Sequence, residues 1–96
     1  MPFKGATFEF NEDRIKAVAP KVSGVYGLYA SQGWVYIGET ANIEERLFQH
    51  LRGNSECINR WKPTGFVFER VEASMRVARQ DQLILELNPA CNQRLC

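Results

Sequence analysis

Between Gly24 and Gly38 the chain carries two β-forming segments, Gly24-Val25-Tyr26-Gly27-Leu28-Tyr29 and Trp34-Val35-Tyr36-Ile37-Gly38, with Ser31-Gln32-Gly33 in the joining stretch. β-Branched and aromatic residues dominate both segments and suit a pleated, half-buried surface. The joining residues are turn formers, with Gly33 free to take positive φ. Residues 22–29 and 34–38 therefore read as the two strands of a β-hairpin. A hairpin of this kind needs cover on both faces, and the rest of the chain must supply it.

Three further elements follow from periodicity. Asn42 with Glu45 three residues on makes a capping box. Ile43, Leu47, Phe48 and Leu51 then recur at helical spacing, giving an amphipathic helix that ends near Gly53. Residues 65–71 alternate, with Phe66 and Phe68 on one side and Val67 and Glu69 on the other, as a strand does. Ser74 offers an N-cap for a last helix over 75–87. Met75, Ala78, Gln82 and Leu85, with Leu83 and Ile84 beside them, form its expected buried side, and Pro89 ends it. Upstream of the hairpin, Phe8 and Phe10 alternate with polar neighbours in a short strand or extended arm. Asn11 caps a short helix to about Val18, closed by Pro20. Residues 54–64 read as a polar connection with Ile58 and Trp61 tacked onto the core. The sum is one α+β domain over 1–96. Its small, mostly antiparallel three-stranded sheet is flanked by helices in the order β-β-α-β-α.

Composition narrows the function. Hydrophobic residues at 45% and charged residues at 24% are ordinary for a globular protein. A net charge of +1 gives no global signature of nucleic-acid binding. Attraction to phosphate must come from a local patch, for which Arg46, Arg52, Arg60, Lys62, Arg70, Arg76, Arg79 and Arg94 are the candidates. No apolar run has signal-peptide or membrane-span length, so no membrane partner is expected and the expected compartment is cytoplasmic. The cysteines Cys57, Cys91 and Cys96 are odd in number and lack a CxxC pair. They read as reduced structural thiols, with neither a zinc site nor a disulfide framework.

Four residues stand out as a chemical set. Tyr26 and Tyr36 lie on adjacent strands, so their hydroxyls can converge. Arg46 and His50 are four residues apart on one helix and share a face. Breaking a phosphodiester requires deprotonating a water, neutralising the phosphoryl oxygens and stabilising the leaving oxygen. A phenol can take the proton if nearby cations pull its pKa down from about 10. Arginine suits a phosphate because its planar fork donates two parallel hydrogen bonds.

In this order, Gly24-Val25-Tyr26, then Tyr36-Ile37-Gly38, then Arg46 and His50, the chain resembles the GIY-YIG nuclease family. The resemblance runs from about Gly24 to Asn92, ending in Leu83-Ile84 and Pro89-Ala90-Cys91-Asn92. It implies a metal-dependent DNA endonuclease domain. Tyr26 then matches the candidate general base, Tyr36 the residue that orients water or phosphate, and Arg46 the catalytic arginine. His50 shares proton transfer or bonds a phosphate oxygen. Arg46, Arg52, Arg76, Arg79 and Asn92 are the expected nucleic-acid contacts, and Asn92 also ties the chain end to the site. Glu39 stands where some relatives carry lysine and others glutamine; an acid there repels a phosphate unless an arginine pairs with it, and it reads as a solvated strand-end acid.

The family's glutamate, which holds a single magnesium or manganese ion, falls on Gln80. Such hard cations favour anionic oxygens, so the neutral, nearly isosteric amide preserves packing while weakening the metal. The domain is then a disabled nuclease or a module that binds nucleic acid without cutting. In the remaining reading a neighbouring acid (Asp81, Glu86, Glu69 or Glu72) takes over. DNA is the expected partner and RNA the open alternative. Target choice falls to the domain's own surface as a monomer, to a homodimer or to a partner protein. A protein-interaction domain that merely keeps the fold would instead expose Phe3, Phe8 and Trp61.

Overall fold

The computed structural model describes residues 3, 6–53 and 55–93; Arg94 and Cys96 lie outside the described residues. Its elements are β1 (Thr7–Glu9), α1 (Glu12–Val18), β2 (Gly24–Ala30), β3 (Gly33–Thr40), α2 (Ile43–Leu51), α3 (Glu56–Trp61), β4 (Gly65–Arg70) and α4 (Arg76–Leu87). Short 3-10 turns span Ala73–Met75 and Cys91–Gln93. The four strands form one antiparallel sheet in the order β1-β4-β2-β3.

The expected hairpin is present as β2 and β3, with Tyr26 opposite Gly38, Leu28 opposite Tyr36 and Gly33 at positive φ in the turn. The fourth strand is the addition: Thr7, Phe8 and Glu9 pair with Val67, Phe66 and Gly65. Phe8 packs on Phe66 and Phe68, at centroid distances of 5.5 and 6.0 Å, which makes residues 7–9 a sheet edge rather than a loose arm.

The period-two alternation of the strands sends side chains to two cores. On one face Tyr26, Leu28 and Phe66 meet Ile15 of α1, Ile43 and Leu47 of α2 and Ile58 of α3. On the other, Val25, Ile37 and Val67 meet Leu83 of α4, with Phe3 and Trp34 stacked beside them at 5.5 Å. The caps of α1 and α2 are where the sequence puts them. The Asn11 carboxamide accepts from the Arg14 amide at 2.8 Å, and the Asn42 carboxamide from the Glu45 amide at 3.0 Å.

Four expectations are corrected. The 54–64 connection contains α3, capped by the Ser55 hydroxyl and closed by Lys62 in the left-handed region. With only Ile58 buried in a six-residue helix, it leaves no periodic signal. Ser74 does not cap α4; it lies in the 3-10 turn, and no side chain bonds the helix start at Met75. The buried stripe of α4 is rotated from the expected one: Leu83, Ile84 and Leu87 face the core, while Met75, Ala78, Gln82 and Leu85 are exposed. Phe3 is buried, and Phe8 and Trp61 pack half-buried on the core, so these three residues do not form the exposed apolar surface that a protein-interaction reading requires.

Cys57 and Cys91 are joined in a disulfide with Cα atoms 5.8 Å apart, where reduced thiols were expected. The pairing arises because α3 and the C-terminal turn meet in space, which an odd cysteine count without CxxC spacing does not reveal. Restraining two residues 34 apart in sequence stabilises by on the order of 3–4 kcal/mol through loop entropy.

Phe66→Ala should cost about 3–5 kcal/mol by opening a cavity between Phe8, Phe10 and the helices. Leu85→Gln should stay within about 0.5 kcal/mol because the side chain is already solvated. Urea unfolding measures both, and the Leu85 result checks the rotation of α4.

Candidate active site

The site begins at the residue opposite Tyr26. A Cβ on Gly38 would lie 2.5 Å from the Tyr26 hydroxyl, 2.7 Å from its Cζ and 2.9 Å from Tyr36 Cε2. Only glycine lets the Tyr26 ring lie across β3 and come alongside Tyr36, at a centroid distance of 6.1 Å. Gly24 has a similar reason: a Cβ there would collide with the Glu69 carbonyl oxygen and sit 2.7 Å from Ile43 Cδ1. Both motif glycines thus mark close approaches of neighbouring chain.

His50 closes the cluster from α2. Its Nε2 is 2.7 Å from the Tyr26 hydroxyl, and its ring centroid is 5.4 Å from that of Tyr36 and 5.5 Å from that of Tyr26. Tyr26 is 1% and His50 7% exposed. Burial pushes the Tyr26 phenol well above its ordinary pKa; the neighbouring Tyr36 and Glu39 add to this, and the positive charge of Arg46 opposes it. The phenol keeps its proton, with His50 Nε2 and the Tyr36 side chain as its hydrogen-bond partners. The expectation of a phenol with lowered pKa is therefore reversed here. One cation does not outweigh desolvation of the hydroxyl.

Arg46 lies one turn before His50 on α2 and donates from Nη1 to Gln49 Oε1 at 3.1 Å. Arg52 lies over the Phe48 ring at 5.4 Å on the exposed end of the helix. The other expected phosphate contacts are engaged elsewhere. Arg76 donates to Glu39 Oε1 at 2.7 Å and to Ser23 Oγ at 3.1 Å. Arg79 grips Glu69 through two bonds, of 2.7 and 3.0 Å. Glu39 is thus an ion-paired acid, not a solvated one. Asn92 spends both ends of its amide on Ile37, accepting from N–H at 2.7 Å and donating to C=O at 2.8 Å. It substitutes for a strand partner on the outer edge of β3, next to Tyr36. Sequence reasoning missed Ser23 and the Glu39–Arg76 pair, since a contact across 37 residues leaves no local pattern.

Gln80 is four residues beyond Arg76 and three before Leu83, on the stripe of α4 that faces the sheet. Its amide donates to Asp81 at 3.4 Å. Asp81, Glu72 and Glu86 are exposed, Glu69 is bound by Arg79 and Glu39 by Arg76. Among the described residues no group of three His, Cys, Asp or Glu side chains is close enough to hold a metal ion. At position 80 the side chain offers a neutral amide oxygen, a poorer ligand for a hard divalent cation than a carboxylate.

The model of the GIY-YIG catalytic domain matches residues 22–88. The chain belongs to the GIY-YIG family. Its fold is shared with the N-terminal endonuclease domain of UvrC from Thermotoga maritima. The magnesium-bound form of that domain superposes with a TM-score of 0.69 at 21% identity, covering 82% of this chain and 96% of that one. A point mutant bound to its catalytic divalent cation gives 0.69 at 21% identity, over 82% of this chain and 94% of that one. No curated protein matches the chain in sequence.

The protonated state of Tyr26 has a pH signature. The folded chain keeps this proton above about pH 10, where the unfolded chain releases it. Stability is therefore unaffected below about pH 10 and falls above it, by up to about 1.4 kcal/mol per pH unit. Urea unfolding between pH 8 and 11 should show this loss, and Tyr26→Phe should flatten it. Gly38→Ala should destabilise by about 1–3 kcal/mol through overpacking against Tyr26.

Proposed function

We propose that this domain binds DNA phosphodiesters in a GIY-YIG nuclease site whose hydrolytic activity is held low by Gln80. The observation that supports this best is the 2.7 Å hydrogen bond between the Tyr26 hydroxyl and His50 Nε2 beside Tyr36, with Arg46 one turn from His50 on the helix. As the water oxygen bonds to phosphorus, the P–O bond to the leaving strand breaks and its oxygen takes a proton from solvent; Tyr26 takes the water's proton while passing its own to His50 Nε2. An imidazole nitrogen that carries no proton is a competent acceptor. The buried phenol then never has to carry a lasting charge. Tyr36 orients the water from the adjacent strand, and Arg46 neutralises the phosphoryl oxygens.

What the site lacks is the anionic ligand at position 80. The UvrC domain of Thermotoga maritima is bound to its catalytic divalent cation, magnesium in one form. Here the corresponding side chain is a neutral amide, which supports weak or absent cutting with binding retained.

A nicking assay on supercoiled plasmid with magnesium or manganese, comparing the chain with Gln80→Glu, tests the reading. Cleavage by the Glu variant alone is the expected result, and Arg46→Ala in that background should lower the rate at least a hundredfold. Cleavage by both chains would move the metal to another acid. Failure of both would leave the module that binds without cutting, whose affinity for DNA should fall steeply with salt.

A further inference from the structure

We propose that the Cys57–Cys91 disulfide is a thiol-responsive latch on the outer edge of β3, the strand that carries Tyr36. β3 is the last strand in the order β1-β4-β2-β3, so only its inner side is paired within the sheet. Its outer side is held by residues 90–92. The Ala90 amide donates to the Trp34 carbonyl at 3.1 Å, and the Asn92 side chain pairs with both backbone groups of Ile37. Cys91 lies between these two attachments. Its partner Cys57 sits in the first turn of α3, anchored by Ile58, which is 2% exposed.

The disulfide therefore ties a clip of three hydrogen bonds to the buried core. Without it, residues 90–92 are held to β3 by those bonds, which can open locally at low cost compared with unfolding the sheet. Opening frees Ile37, and with it the backbone next to Tyr36. Forming the latch converts the thiols of Cys57 and Cys91 into one S–S bond. The two electrons and two protons pass by thiol–disulfide exchange to a disulfide oxidant such as oxidised glutathione, which leaves as two thiols; a dithiol reductant reverses the step. This device goes beyond the cleavage reading, and its readouts do not depend on cutting.

The test uses the full chain with Cys96→Ser, so that one intramolecular pairing remains. It is equilibrated with oxidised glutathione or with dithiothreitol, and amide hydrogen exchange is followed by NMR. Reduction should speed exchange at Ile37 at least tenfold and at Leu28 and Val67, in the inner strands, less than threefold. In the oxidised chain Asn92→Ala should reproduce the effect at Ile37, and Cys57→Ser should match the reduced chain. Two free thiols by mass after oxidised glutathione would overturn the proposal. So would unchanged protection of Ile37 on reduction, or an equal acceleration at all three amides, which would mark a general staple.

Discussion

A tyrosine buried in a sheet must place its hydroxyl, and how Tyr26 does so organises this domain. The ring is covered, so the phenol cannot rely on water and must find a partner in the protein. It finds His50, bridging β2 and α2 across 24 residues. That bond, with Ile43 and Leu47 buried on the same helix, sets the rotation of α2 and so directs Arg46 toward the same region. On the strand side, the absence of a side chain at Gly38 makes room for the ring. Removing either condition disturbs a proton path and a packing contact together.

The opposite face of the sheet is organised by charge. Glu39 and Glu69 project from β3 and β4 toward α4, where Arg76 and Arg79 meet them. These half-buried pairs contribute modestly to stability, because desolvation offsets much of the attraction. Their larger consequence is functional. Two arginines that a sequence reading assigns to phosphate are neutralised, leaving Arg46 and Arg52 as the cations nearest the tyrosine cluster on α2. Gln80 lies in the same sheet-facing stripe, where its amide can pack without the cost of an unpaired carboxylate.

The hairpin, the helix over Ile43–Leu51, the strand over Gly65–Arg70 and the two asparagine caps were legible because each is written locally, in period, turn residues or a capping pattern. The order of Tyr26, Tyr36, Arg46, His50 and Asn92 was legible as a motif for the same reason. Helix α3 was not, since one buried isoleucine in six residues has no period. The buried face of α4 was misjudged because Arg76 and Gln80 occupy its stripe where apolar residues would signal it, while Leu85 points to solvent. Hydropathy alone then selects the wrong side.

Sequence by itself determined the hairpin, the helix over Ile43–Leu51, the strand over Gly65–Arg70 and the family pattern, all properties of residue type and spacing. Tertiary structure alone decided the protonation of Tyr26, the partners of Glu39 and Glu69, the use of Asn92 as a strand surrogate and the joining of Cys57 to Cys91. Each of these depends on burial or on contact between residues far apart in the chain. Desolvation and long-range pairing exist only once the sheet and its helices have closed around them.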